Sequence, residues 1–315
     1  LLIFLRGDDP GKMELVKCSD SAAVLDSQVY LPFDAVDTDA LSVSGSQYQV
    51  SNAFAWLSRH GLCVGIPSGV VLRGSERDPA VPLPAAVLGH RIGDALTPHA
   101  DLVRYARALA AASPRLSVAA YGTTPEGREL VRVAVSAPEN LARLDEIAAG
   151  LSSLSDPRRT PREADRAIVE RSPAVVWVAC GVHGNEVAGP EACTALLYVL
   201  AASRGRDVEE LLGSLVVVVD PCANPDGHER HVAYWRSVAG DEPDPDPYSL
   251  EHDAPWPGGR TNHYGVDLNR DWSWATQPET RARLAALRAL PPQLYVDLHE
   301  MGPEQGYFFP PSAKP

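Results

Sequence analysis

Ala174-Val-Val-Trp-Val-Ala-Cys180 runs straight into Gly181-Val-His-Gly-Asn-Glu186, and this junction decides the fold. The first seven residues are continuously apolar. They lack the apolar–polar alternation of a strand with one wet face, so they predict a strand covered on both faces. The polar cluster ends that strand, and Glu186 to Ser203 then reads as a helix behind it. Two more strands lie downstream, the first again fully apolar. Leu215 to Asp220 precedes Pro221-Cys-Ala-Asn-Pro-Asp-Gly227, and Leu294 to Leu298 leads directly into His299-Glu-Met-Gly302. Buried strands alternating with helices indicate an α/β domain with a mostly parallel, covered sheet. Ligands of such sheets bind beyond the carboxyl ends of the strands, where all three polar clusters stand.

The flanking sequence fits the same scheme. Thr97-Pro98 predicts an N-cap followed by proline at the first helical position, with Leu102, Tyr105, Ala106 and Leu109 at helical spacing. Leu116 to Tyr121 and Leu130 to Val135, separated by the turn Gly122 to Gly127, predict a hairpin. Asn140 to Ala149 reads as a short helix, Pro157 to Arg166 as a charged connecting loop, and Pro278 to Leu290 as a helix with Leu284 and Leu287 on one face. Asp78 to Pro84 carries three prolines and reads as a linker or boundary. Before it, Asp26 to Pro32 is strand-like and Asn52 to His60 helix-like. The chain therefore divides into residues 1–84, of unassigned role, and a domain over 85–315.

Composition narrows the function. Hydrophobic residues make up 45% and charged residues 22%, enough apolar content for a sizeable core. A formal net charge of −13 argues against a nucleic-acid partner, which needs a basic footprint. No stretch reaches the eighteen or more apolar residues of a transmembrane span. The five cysteines form no Cys-x-x-Cys pair. Cys180 in a strand and Cys193 in a helix read as buried thiols.

The chemistry lies at the strand ends. His183-x-x-Glu186 at a strand-to-helix turn puts an imidazole and a carboxylate within one turn of each other, and His299 ends a neighbouring strand. Taken alone, His-x-x-Glu is more often a solvated turn or a helix cap. A third motif, Gly265-Val-Asp-Leu-Asn-Arg-Asp-Trp272, changes the weighing. With His183-Gly-Asn-Glu186, Asn224-Pro-Asp-Gly227, Asp267-Leu-Asn-Arg270 and Asp297-Leu-His299 in that order, the chain resembles the zinc carboxypeptidase family over about residues 85–315. Pro255 to Tyr264 and Asp297 to Gly302 resemble a bacterial branch of large, multi-domain members.

The resemblance implies a three-layer α/β/α fold around a mostly parallel mixed sheet, incomplete at the C-terminus. It implies one catalytic Zn2+ held by His183, Glu186 and His299. Carboxypeptidase A itself exemplifies this His2Glu set with an open fourth position, so the ligand assignment rests on likeness to that enzyme. The resemblance also implies that Asn269 and Arg270 hold a substrate's terminal carboxylate, the guanidinium as a bidentate fork. Arg236, after Trp235, is matched to the arginine that stabilises the oxyanion, with Arg260 as its rival. Peptide or protein C-termini are the implied substrates, and a secreted or periplasmic location the implied setting.

Two departures qualify this. Asn185 stands where many members carry a substrate-binding arginine, and a His-Gly-Asn-Glu version occurs in related zinc deacylases. The family's general-base glutamate lies well downstream of the second zinc histidine. Glu300 and Glu304 do not match it, so the base is expected to be missing from this chain and the chain alone inactive. The competing functions are a zinc amidohydrolase of N-acyl amino acids or cell-wall peptides, and an inactive substrate-binding homologue. His228 and His231 read as part of a solvated loop, as does the acidic stretch Asp241 to Asp253. Trp235, Trp256, Trp272 and Trp274 read as core or cleft residues.

Overall fold

The structure is a computed structural model. It describes residues 77–300, apart from 156–161, 241–243, 245, 247 and 253, together with three short strands near the N-terminus. Those strands, β1 (Phe4–Asp9), β2 (Lys12–Val16) and β3 (Val29–Pro32), pair antiparallel in that order. The expected helix over Asn52 to His60 lies outside the described residues.

A five-stranded sheet organises the rest. Its strands are β4 (Leu116–Thr123), β5 (Glu129–Val135), β6 (Ala174–Cys180), β7 (Leu215–Asp220) and β8 (Leu294–Leu298), in the order β4-β5-β7-β6-β8. The β4–β5 hairpin joins antiparallel, and β7, β6 and β8 run parallel. The sheet is thus mixed, and its parallel half carries the three polar strand ends.

Successive residues of a strand face opposite sides, and here both sides are covered. Val176 and Val178 of β6, with Val217 and Val219 of β7, face α1 (Pro84–Leu88), α2 (His99–Ala112), α6 (Ala188–Ala202) and α7 (Arg206–Ser214). Val175, Trp177, Val216 and Val218 face α4 (Leu144–Leu154) and α9 (Pro278–Ala289). Each fully buried aliphatic side chain removes about 1.5–3 kcal/mol of unfavourable hydration. A strand buried at all six positions, as β7 is, therefore has no face that could turn to water. This is the three-layer arrangement. By contrast β8, bonded to β6 alone among the described residues, is half-buried at every position.

Several local readings differ from the structure. Arg162–Arg171 forms a helix, α5, inside the expected charged loop. Its mostly polar surface is held by an Arg166–Glu170 pair at helical spacing. The helix expected over Asn140 to Ala149 is two, α3 (Pro138–Leu141) and α4, interrupted at Arg143 with φ −119° and ψ 24°. Pro98, not Thr97, is the N-cap of α2, and the Thr97 N–H instead donates to the buried Glu191 carboxylate (2.7 Å). Asp78 to Pro84 is no free linker: Asp78 N–H donates to Ala202 (2.7 Å), and Val81 is buried. Cys180 and Cys193 are buried as expected but joined as a disulfide, and Cys222 is a buried free thiol. Among the described residues no helix is long and apolar enough to cross a membrane.

Candidate metal centre

Because β7, β6 and β8 are adjacent and parallel, the residues after them share one end of the sheet. Gly181, with φ +64°, turns the chain out of β6. The end of β7 follows it, with Ala223 N–H donating to Cys180 and Asn224 N–H to Gly181 (2.9 and 3.0 Å). Asn224 then caps α8 (Pro225–Val238) by accepting from Gly227 N–H, and its amide donates to Val182 (3.4 Å) and Arg260 (3.3 Å). Three loops are so tied at the mouth of the sheet.

His183 and Glu186 are buried and His299 is partly buried, and their ligating atoms lie within 4.8 Å of one another. His183 Nδ1 stands 2.7 Å from Glu186 Oε1, and His299 Nδ1 stands 2.9 Å from Glu186 Oε2. The other ring nitrogens are held from behind. Asp267 Oδ1 lies 3.0 Å from His183 Nε2. His299 Nε2 faces Asp297 Oδ2 at 3.6 Å and Asn269 Nδ2 at 3.5 Å. A carboxylate behind each histidine fixes ring orientation and raises ligand basicity, the arrangement metal-binding histidines use.

The electrostatics follow from these contacts. Burial pushes the Glu186 carboxyl up, but hydrogen bonds from His183 and His299 outweigh it and hold it at about 2. Asp297, then Glu186, raise the His299 imidazole to about 10 against its own burial. Burial also opposes ionisation of Asp267, yet the His183 charge, the Asn269 N–H and Arg260 keep it below the ordinary carboxylate range. Two imidazole nitrogens and one carboxylate, all turned toward a common point, suit a borderline divalent ion such as zinc and leave a fourth position open.

A family model described as zinc carboxypeptidase matches residues 102–313, well over half of the chain. The chain belongs to the zinc carboxypeptidase family. Similar solved structures include a metallo-carboxypeptidase from Burkholderia cenocepacia (19% identical, covering 65% of this chain and 40% of that chain, TM-score 0.36). A metallo-carboxypeptidase from Pseudomonas aeruginosa is 21% identical, with 65% and 39% covered and a TM-score of 0.34. The carboxypeptidase A of Helicoverpa armigera is 13% identical, with 70% and 52% covered and a TM-score of 0.41. The chain thus spans about half or less of the length of these proteins. No curated protein sequence matches it.

The remaining residues singled out by family resemblance are placed as follows. Asn269 and Arg270 sit on a short 3-10 turn, Leu268–Arg270, capped by the Asp267 side chain. Asn269 is fixed by the Trp272 indole N–H, which donates to its Oδ1 (3.2 Å), while the Arg270 side chain is exposed. Arg236 is exposed in the last turn of α8, eleven residues or roughly 16 Å along the axis from the end that adjoins the site. Arg260 instead lies 3.7 Å from Glu186 Oε1 and 3.1 Å from Asp267 Oδ2. The structure therefore brings Arg260, and not Arg236, beside His183, Glu186 and His299.

His228 and His231 do not belong to a solvated loop but are buried on α8. His228 Nε2 lies 2.8 Å from the Thr97 carbonyl oxygen and Nδ1 3.3 Å from that of Gly184. The unequal lengths suit a neutral ring donating from one nitrogen, and burial lowers its pKa in the same sense. Trp235 packs with Leu96, Val187 and Val232, whereas Trp256 and Trp274 are exposed. A cleft of about 450 Å³ beside Asp297 is lined by Trp272, Leu287, Pro292 and Tyr295.

The carboxylates behind the two histidines went unread in the sequence: Asp267, although it opens the Asp267-Leu-Asn-Arg270 motif, and Asp297, two residues before His299. The need for Gly184 went unread as well. A Cβ there would lie 2.1 Å from His228 N, 2.3 Å from Gly227 C and 2.7 Å from Gly259 O. The glycine of His183-Gly-Asn-Glu186 is thus where three backbones meet.

Proposed function

We propose that this chain is a zinc-dependent metallocarboxypeptidase acting on the C-terminal bonds of peptides. The observation that carries the reading is the convergence of His183, Glu186 and His299 at the ends of two parallel strands, with Asp267 behind the first histidine. Zinc held there would acidify a water and polarise the scissile carbonyl. Asp267 and Asp297 hold the two imidazoles in the orientation that presents Nδ1 inward. Arg270, exposed and fixed at its base by the 3-10 turn, takes the substrate's terminal carboxylate, and Asn269 directs it. Arg260 supplies the positive charge beside the developing oxyanion, the role that sequence matching gave to Arg236. The Glu300 carboxylate accepts the N–H of Ala188 at the start of α6 and does not match the family's general base.

Asn185 favours a second reading, a zinc amidohydrolase that deacylates N-acyl amino acids or trims cell-wall peptides. It is exposed beside the ligands, where an arginine would bind a longer peptide. Measuring zinc stoichiometry, then turnover of a peptide ladder against N-acyl amino acids, tests both. Stepwise loss of C-terminal residues supports the carboxypeptidase reading, and release of acyl groups alone the amidohydrolase. Failure to bind one equivalent of zinc, or binding that survives His183→Ala, overturns both.

A further inference from the structure

We infer that Glu300 is a positioning residue that sets the spacing between the two halves of the metal centre; the inference rests on the zinc reading above. Glu300 Oε1 accepts the N–H of Ala188, the first residue of α6. Ala188 follows Glu186 by two residues, and Glu300 follows His299 directly. One side-chain hydrogen bond therefore closes a short ring, 186–188 to 299–300, that contains two of the three ligands.

Two further observations show why the ring matters. First, α6 has no cap from its own segment: Val187 occupies the cap position without a side-chain bond. The first N–H groups of a helix have no internal partner and carry the positive end of the helix dipole. A carboxylate from another strand satisfies both needs, so α6 and β8 are fastened where their ligands emerge. Second, among the described residues β8 is bonded to β6 alone, and it is half-buried along its length. His299 lies beyond the last paired residue, where the ladder no longer fixes the chain. The packing allows a close join: a Cβ on Gly189 would sit 3.4 Å from Cys180 Cβ and 3.8 Å from Leu298 Cβ, so the start of α6 rests on the ends of β6 and β8.

Glu300 thus places the His299 imidazole opposite Glu186 without touching the metal. The test compares the parent protein with Glu300→Ala and Glu300→Gln, the amide of which keeps an acceptor at the Oε1 position. Zinc affinity is read by competition with a chromophoric chelator, and site geometry by the electronic spectrum of the cobalt(II) form. Melting of the chelator-treated proteins reports any general loss of stability. Removing an outer partner of a metal site weakens binding by about 10- to 100-fold, the loss expected for Glu300→Ala with altered cobalt bands, while Glu300→Gln stays within about threefold of the parent. Parent-like zinc affinity in Glu300→Ala, or equal loss in both variants, overturns the inference and leaves the zinc reading intact. A parent that binds no zinc overturns both.

Discussion

Replacing Gly184 by alanine tests whether the metal centre depends on backbone convergence. The added Cβ would stand 2.1 Å from His228 N, 2.3 Å from Gly227 C and 2.7 Å from Gly259 O, where ordinary contact begins near 3.4 Å. Relief needs a displacement of about 1.3 Å, the difference between 3.4 and 2.1 Å. All three neighbours are backbone, and the first turn of α8 is pinned by the Asn224 cap and by Asp226, which accepts from Thr124 and Arg128 (both 2.7 Å). The shift therefore falls on the segment that carries His183 and Glu186. Overpacking of a core costs roughly 1–3 kcal/mol, and clashes with rigid backbone belong at the upper end. At roughly 2–4 °C per kcal/mol for a domain of this size, the melting temperature should fall by roughly 6–12 °C. Metal sites tolerate ligand displacements of only about 0.2 Å, so zinc affinity should fall at least about tenfold. The control is Gly213→Ala near the end of α7, where a Cβ meets nothing within 4 Å. That change should be neutral or stabilising by up to about 1 kcal/mol. Thermal melts with and without zinc, and chelator competition, read both variants. A Gly184→Ala protein that melts and binds zinc like the parent would refute the reasoning, as would equal damage in Gly213→Ala.

The rival arginines separate in binding of a peptide phosphonate, a mimic of the tetrahedral intermediate, to the zinc-loaded protein. Arg260→Met should weaken that binding by about 10²- to 10³-fold while Arg236→Met leaves it within about twofold, and the reverse order would return the oxyanion role to Arg236. Zinc affinity should depend on pH through His299. In the metal-free protein its pKa is raised to about 10 by Asp297 and Glu186, so the protonated ring contributes stability that is full below pH 6.5 and lost as pH rises through 10. Zinc must displace that proton, so affinity should rise by about tenfold per pH unit between pH 7 and 9; a flat profile in competition titrations would contradict this.

The central strands β6 and β7 were legible because they are buried on both faces. An uninterrupted apolar run such as Leu215 to Asp220 has few other places to go, and β7 covers that range. His183 was legible for the same reason, since it follows closely on such a run, whereas His299 follows β8, which is half-buried and interrupted by Asp297, and was legible through its motif. What escaped is held by partners distant in sequence. His228 lies among polar residues, and nothing local shows that the Thr97 carbonyl, 131 residues away, will accept its proton. Helix α5 is short and rich in charged residues, with only Ala164, Ala167 and Ile168 as apolar residues at helical spacing, so composition alone reads as a loop. The start of α8 is the turn-like Asn224-Pro-Asp-Gly227, which proves to be an N-cap, a proline in the first turn, a buried anchor and a close-contact glycine. Arg260 and Arg236 are alike by sequence, and only the fold of the 255–267 loop distinguishes them.

A cluster of histidines, carboxylates and an arginine can also be a structural ion network, and the chain offers one for comparison. Glu126, Asp226 and His263 also bring their ligating atoms within 4.8 Å of one another. There the Arg128 guanidinium sits in the middle, 2.5 Å from Glu126 Oε2 and 2.7 Å from Asp226 Oδ1. Asp226 also accepts from Thr124 Oγ1 and Glu126 N–H, so this cluster fastens the β4–β5 turn to α8 and already holds its cation. Around His183, Glu186 and His299 the arrangement differs. Arg260 spends its hydrogen bonds on Asp267 and remains 3.7 Å from Glu186. Glu186 faces both imidazoles, and Asp297 and Glu186 raise the His299 pKa to about 10. Two histidines backed by carboxylates and a third carboxylate turned to the same point are a donor set that suits zinc better than a guanidinium, and this geometry supports the metal reading over a structural ion network.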